Sequence, residues 1–146
     1  MDLVKRYRVA RIPTLNNKTD GINGMLVPLW KDYDPIEKLV PKYVYYTTCS
    51  PGEDKGPYLH KKRRTLLALI EGKVIFVYRD GEKFSEIALT SDENITMLDV
   101  PPKVGYLIRN THNDVARIIN ICDYPWREGD DETESPDFNE YYGGSN

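Results

Sequence analysis

Turn-forming residues punctuate this chain roughly every 8–12 positions, and no long amphipathic helix fits between them. Ser50-Pro51-Gly52, Glu71-Gly72, Asp80-Gly81, Ser91-Asp92-Glu93-Asn94 and Pro101-Pro102 each separate two short apolar or β-branched runs. Glycine supplies the positive φ of a tight turn and proline withholds the N–H that a central strand donates, so each cluster ends an element. The runs between them read as strands: 43–48, 65–70, 73–78, 86–90, 95–100, 105–109 and 115–122. Residues 65–70 are apolar almost throughout, and periodicity alone does not separate a buried strand from a helix there. Gly72 and the β-branched residues after it favour a hairpin. Many short strands at even turn spacing predict an all-β sandwich or barrel.

The two ends read differently. Val4, Tyr7, Val9 and Ile12 alternate with basic residues, a turn follows at 16–21, and 25–30 is a short strand whose Pro28 favours an edge or a bulge. Asp34 to Leu39 suits a single helical turn with Pro35 at its first position. From Arg127 onward Glu128, Asp130, Asp131, Glu132, Glu134 and Asp137 crowd a hydrophobe-poor stretch, which predicts a solvated, partly mobile tail. The organisation expected is therefore one domain over residues 1–126 and an acidic tail over 127–146; 146 residues bury one core, not two.

Composition narrows the function. A net charge of −3 gives no global basic field, so nucleic acid is not an expected partner. No apolar run approaches the roughly 20 residues that cross a bilayer, so no membrane partner is expected either. Residues 1–6 lack the apolar core of a signal peptide, and the expected location is the cytoplasm. Cys49 and Cys122 match no metal or redox spacing and read as buried thiols.

Two motifs carry the chemistry. The first is Lys55-Gly56-Pro57-Tyr58-Leu59-His60-Lys61-Lys62; the second is Val100-Pro101-Pro102-Lys103-Val104-Gly105-Tyr106 with Asn110. Together they resemble the two motifs of cupins, in particular the nucleotide-sugar branch: the dTDP-4-dehydrorhamnose 3,5-epimerases and the dTDP-4-keto-6-deoxyhexose 3,4-ketoisomerases. The segment Ile121-Cys122-Asp123-Tyr124-Pro125-Trp126 resembles the stretch after the barrel in that branch. The resemblance implies a cupin jelly-roll barrel, a homodimer that exchanges N-terminal strands, and a nucleotide-sugar substrate handled without a cofactor. The chain also departs from the pattern. Tyr58 stands where the first motif histidine belongs, and His60 takes the second position, which is histidine in ketoisomerases and glutamine in epimerases. Thr65 stands for the epimerase lysine, Ile119 for its tyrosine acid and Tyr106 for the second-motif histidine. Of the three histidines and one glutamate of metal-binding cupins only His60 remains, beside the cations Lys61 to Arg64, so no metal is expected.

The surviving residues suit proton transfer beside a sugar ketone, which needs a base, an acid and a group that steadies the enolate oxygen. His60 has an ordinary pKa of about 6.5 and exchanges protons at neutral pH. Residues two apart on a strand share a face, so Tyr58 and His60 project together into the barrel mouth, with Lys62 continuing that face. Tyr106 on the facing strand offers a second acid or a hydrogen bond to the ketone. The expected catalytic set is His60, Tyr58 and Tyr106. Lys55, Arg64 and Arg109 are expected at the substrate diphosphate, Lys62 is expected to bind substrate from the inward face, and Tyr45 or another aromatic is expected at the nucleotide base. The function expected is a cofactor-independent isomerase or epimerase of a nucleotide-linked 4-keto-6-deoxy sugar. The alternative is a non-catalytic nucleotide-sugar or carbohydrate-binding cupin. His112, in the loop after Asn110, reads as a bystander.

Overall fold

Strands form where the turn chemistry places them, but most do not pair with their neighbours in sequence. The computed structural model describes residues 3–31 and 38–143. Its strands are β1 (Lys5–Val9), β2 (Ile12–Leu15), β3 (Ile22–Leu26), β4 (Tyr43–Cys49), β5 (Asp54–His60), β6 (Thr65–Glu71), β7 (Lys73–Asp80), β8 (Lys83–Thr90), β9 (Ile95–Val100), β10 (Tyr106–Arg109), β11 (Ala116–Cys122) and β12 (Thr133–Glu134). Two five-stranded sheets, β1-β9-β6-β11-β4 and β12-β5-β10-β7-β8, face each other, and β2-β3 forms a separate hairpin. From β4 onward the chain crosses between the sheets at every step except β7 to β8, which is the jelly-roll pattern. All pairings described are antiparallel. The sequence expectation of an all-β cupin jelly roll is met. Among the described residues no helix is long and apolar enough to cross a membrane.

The hairpin expected across Gly72 is not one. β6 and β7 lie in opposite sheets, so Glu71-Gly72-Lys73 turns the chain through the corner of the sandwich. Gly72 has φ 109°, and a Cβ there would sit 3.0 Å from the Ala116 Cα, so only glycine fits this corner. The Asp80-Gly81 turn does close a hairpin, with Asp80 opposite Lys83.

Hydrophobic packing explains why β6 reads as continuously apolar. Leu67 and Leu69 enter the core between the sheets with Phe76, Leu98, Ile108 and Ile118. Leu66 and Ala68 point the other way, where Met97, Ile121 and Leu39 pack with Val27 and Leu29. A strand buried on both faces loses its alternation. This also corrects the strand expected at 25–30: β3 stops at Leu26, and beyond it Val27 and Leu29, flanking a proline that donates no ladder hydrogen bond, cover the outside of the first sheet. The helical turn expected at 34–39 falls mostly outside the described residues.

The acidic stretch does not behave as a solvated tail over its described length. β12 pairs with β5, placing Thr133 opposite His60. Glu132 is 3% exposed, and Phe138, also 3% exposed, packs with Val77 and Leu107 on the outside of the second sheet. The burial is spread over isolated residues within an acidic run, which is why composition hides it. Phe138→Ala is expected to destabilise the protein by about 3 kcal/mol, as for other buried phenylalanines. Denaturant unfolding measures this; a loss of only a few tenths would mean the segment contributes nothing to the fold.

Candidate active site

Five strands and two connecting segments converge on a cavity of about 300 Å³ between the sheets. Its walls follow from strand parity. On β4 the inward positions include Tyr45 and Thr47; on β10 they are Tyr106 and Ile108; on β11 Asn120 lies on the same face as Ile118. Tyr58 and His60 enter from β5 as the two-residue period requires. Lys55 would fall on the opposite face by that count, yet it also lines the cavity. A register shift against β10 accounts for this: Tyr106 faces Tyr58 but Ile108 faces Lys55, so one extra residue of β5 bulges out. Gly56 makes the bulge possible, with φ 105° and room for no Cβ, since one would meet Tyr58 Cδ2 at 3.1 Å and the Tyr106 carbonyl oxygen at 3.2 Å.

The three residues expected to act together are in contact range. Ring centroids lie 6.4 Å apart for Tyr58 and His60, 6.2 Å for His60 and Tyr106, and 5.8 Å for Tyr58 and Tyr106. Tyr106 is 3% exposed and stacked on Phe76 at 5.1 Å. Burial raises its phenol pKa, and the neighbouring Tyr45, Cys122 and Tyr58 raise it further. Burial also raises Tyr58, and pushes Tyr45 up to about 12. All three phenols are therefore protonated across the physiological range and available as donors.

His60 is oriented by a residue that the sequence does not single out. Its Nδ1 lies 3.1 Å from Glu132 Oε2, and the Thr133 hydroxyl lies 3.2 Å from the same nitrogen while donating to Glu132 Oε2 at 2.9 Å. The Arg63 backbone N–H donates to Glu132 Oε1 at 3.0 Å. Burial alone would raise the Glu132 pKa; the hydrogen bonds from His60, Thr133 and Arg63 outweigh it and hold the carboxylate ionised. The His60 pKa is lowered, by burial first and by the Arg63 charge, against the pull of Glu132. The two directions agree: a neutral imidazole donates from Nδ1 to an ionised carboxylate, and Nε2 keeps the lone pair of a base.

The cation expectations divide. Lys55 lines the cavity, but Lys62 does not: β5 ends at His60, the two-residue period stops there, and the Lys62 ammonium lies 5.6 Å from the Tyr124 ring. Arg64 is directed at Asp99, with Nε and Nη2 donating at 2.9 and 2.7 Å, and at the Lys38 carbonyl oxygen. Arg109 has the outward parity of β10; it donates to Asp54 and sits 5.5 and 5.4 Å from the Tyr141 and Tyr142 rings. The cation that does enter is Arg63, 5% exposed. Trp126, 62% exposed, stands at the rim and, like Arg63, Glu132 and Asn120, was not among the expected site residues. Asn110 is a structural residue, its amide donating to the carbonyl oxygens of Cys49 and Asp114. His112 lies in a larger open cleft at the far end of β6. Among the described residues no group of three or more His, Cys, Asp or Glu side chains is placed to hold a metal ion.

Glu132→Gln is expected to move the His60 titration further down in pH, because the carboxylate both accepts from the ring and stabilises its charged form. An NMR titration of the imidazole reads this directly; an upward or absent shift would remove Glu132 from the role. Both groups titrate below their ordinary values when folded, so the stability they add is complete above pH 6.5, the ordinary histidine value. It is lost on acidification, first as His60 takes up its proton and then as Glu132 does.

Solved structures with this fold share a theme. A dTDP sugar isomerase from Desulfovibrio desulfuricans G20 superposes with a TM-score of 0.77 at 21% identity, over 92% of this chain and 83% of that one. QdtA, a sugar 3,4-ketoisomerase from Thermoanaerobacterium thermosaccharolyticum solved with TDP, gives 0.70 at 18% identity over 97% and 93%. ChmJ, a 3'-monoepimerase from Streptomyces bikiniensis solved with dTDP-quinovose, gives 0.72 at 10% identity over 99% and 75%. No curated protein matches the sequence. The family model described as FdtA, WxcM-like, C-terminal, matches residues 6–143, and the chain belongs to that family.

Proposed function

We propose that the protein is a cofactor-independent isomerase or epimerase acting on a nucleotide-linked 4-keto-6-deoxy sugar. The observation that carries the reading is the neutral His60, held through Nδ1 by Glu132, facing Tyr58 and Tyr106 inside a cavity of sugar size. The similarity to ketoisomerases and epimerases solved with TDP or a dTDP-sugar supports the substrate class. In this reading His60 Nε2 takes the proton from the carbon next to the ketone. The electrons of that C–H bond move into the ring, and the carbonyl oxygen becomes an enolate that a phenol steadies or protonates. Return of a proton to the same carbon on the other face epimerises it. Return to the former carbonyl carbon, with loss of the neighbouring hydroxyl proton, moves the ketone instead. Lys55 reaches the diphosphate, and the exposed Trp126 indole stacks on the base alongside the Tyr45 wall.

Incubation with TDP-4-keto-6-deoxyglucose in deuterated water, read by NMR, tests the chemistry. Exchange is expected at a carbon beside the ketone, slowed about 10²–10⁴-fold in His60→Asn. Full exchange by that variant would eliminate His60 as the base, and binding without any exchange in the native protein would favour the non-catalytic reading. The rate is expected to rise with pH through a midpoint below 6.5, as His60 loses its proton, and to stay level up to about pH 10, where ordinary phenols ionise.

The assembly proposed is a homodimer. The β2-β3 hairpin exposes Ile12, Leu15, Ile22, Met25 and Leu26, with Ile22 73% exposed, while β1 occupies an edge beside β9 of its own chain. An apolar hairpin of this kind, rather than β1, is the element to pack on a partner. Sedimentation at micromolar concentration is expected to give a dimer, and Ile22→Lys with Leu26→Lys a monomer; a monomeric native protein would exclude the assembly.

A further inference from the structure

The outside of the second sheet carries a cluster of side chains that the proposed chemistry does not use. Asp54, Arg109, Tyr141 and Tyr142 meet there, close to the end of the described chain. Arg109 donates through Nε to Asp54 Oδ1 at 3.0 Å and through Nη1 to the Tyr141 hydroxyl at 3.2 Å. The Tyr142 hydroxyl donates to Asp54 Oδ2 at 2.6 Å, and the Tyr141 hydroxyl donates to Glu86 Oε2 at 3.3 Å. Both rings lie against the guanidinium, and their centroids are 5.4 Å apart at 74°. An exposed ion pair by itself holds a strand weakly. Here both carboxylate oxygens are engaged and two rings pack on the cation, so the pair is also gripped from the tail.

Register gives this cluster its meaning. Tyr106 pairs with Tyr58, but Ile108 pairs with Lys55 and Arg109 with Asp54, so the clustered pair is the last β5 rung beyond the Gly56 bulge. That bulge is the reason Lys55 faces the cavity. A one-residue slip of β5 beyond it would turn Asp54 inward and Lys55 outward. Backbone pairing offers little resistance to such a slip. Past the bulge it consists of these two rungs and the turn, where Asn110 N–H donates to the Glu53 carbonyl oxygen and Gly52 N–H to that of Asn110. The tail supplies a firmer hold. The Tyr141 N–H donates to the Phe138 carbonyl oxygen, Phe138 packs with Val77 and Leu107, and Arg79 Nη1 donates to the Asp137 carbonyl oxygen. Because β7 and β10 pair without a shift from Tyr78:Tyr106 to Ile75:Arg109, this anchor belongs to the regular part of the sheet.

We infer that Tyr141 and Tyr142 clasp the Asp54–Arg109 rung as positioning residues, fixing β5 beyond its bulge so that Lys55 stays aimed into the cavity. Arg109 thus serves binding from the back of the wall and touches no ligand. The inference rests on the reading that puts Lys55 at the diphosphate of a nucleotide sugar. It adds that the end of the chain sets affinity for that diphosphate from a distance.

Two measurements on the full chain test the clasp. Without ligand, amide hydrogen exchange over 54–58 and 106–109 is expected to quicken about tenfold in Arg109→Met, while 116–122 in the other sheet keeps native rates. With TDP as the probe, titration calorimetry is expected to show about fivefold weaker binding in Arg109→Met, and a change under about twofold when Lys55→Met is already present. A loss that persists in the Lys55→Met background would mean that Arg109 meets the diphosphate itself, and overturns the inference. Native exchange rates over 54–58, or exchange that quickens equally in both sheets, overturn it too. So does a Lys55→Met protein that binds TDP as tightly as the native one. If Arg109→Met does not fold, Tyr142→Phe carries both measurements, since it keeps the ring and removes only the hydroxyl bond to Asp54. If the native protein binds no TDP, the nucleotide-sugar reading fails, and the exchange rates alone decide whether the clasp fixes the register.

Discussion

The site depends on a carboxylate supplied from outside the two sheets' main strands. Glu132 lies beyond β11, in the stretch that returns to pair with β5, and three donors converge on it: the His60 ring, the Thr133 hydroxyl and the Arg63 backbone N–H. Its own carbonyl oxygen accepts from the Lys61 backbone N–H at 2.8 Å. One residue therefore fixes the imidazole, the end of β5 and the turn that carries Arg63. A carboxylate that is almost fully buried is tolerable only when its lone pairs are used in this way. The return also explains the anchoring further on, where Phe138 and Tyr141 pack against Phe84 on the outer face of the second sheet. The His60 imidazole and the outside of the barrel are thus held by the same segment.

Electrostatics within the cavity follow from one imbalance. Three phenols, an imidazole and a guanidinium line one cavity, and their burial favours the neutral form of every group that can become neutral. Burial heads the causes for Tyr45, Tyr58, Tyr106 and His60 alike. For a phenol this keeps the proton on; for an imidazole it keeps the proton off. Protonated phenols and an unprotonated imidazole therefore stand together at neutral pH, the pairing that the proposed proton transfer at carbon would use.

How much of this the sequence discloses depends on the range of the interaction. Turn residues act over four positions, so the strands from Tyr43 to Cys122 are readable one by one. Pairing is set by the opposite sheet, which is why Gly72 reads as a hairpin turn although it is a corner. Side-chain direction can be read only where a strand stays regular. Tyr58, His60, Tyr45 and Tyr106 obey the alternation and reach the cavity. Lys55 reaches it because the Gly56 bulge adds a residue that alternation does not count. Past His60 the strand has ended, so the inward cation is Arg63 and not Lys62 or Arg64. Glu132 is hidden for another reason: one buried carboxylate among five exposed or half-exposed acids leaves no compositional trace.

The position of the cation has a consequence for the chemistry. Thr65, which stands where the epimerases that the motifs resemble place a lysine, is 1% exposed and rests its hydroxyl 3.6 Å from Cys122 Sγ. The positive charge enters two residues earlier, from a turn instead of a strand. A lysine on a strand delivers a point charge along one direction, whereas a guanidinium on a turn presents a planar fork whose Nε is already tied to the Tyr124 carbonyl oxygen. Fixing one nitrogen restricts the plane of the remaining two, so the charge is aimed before a ligand arrives. Groups that develop negative charge only during reaction gain most from donors that need no reorganisation.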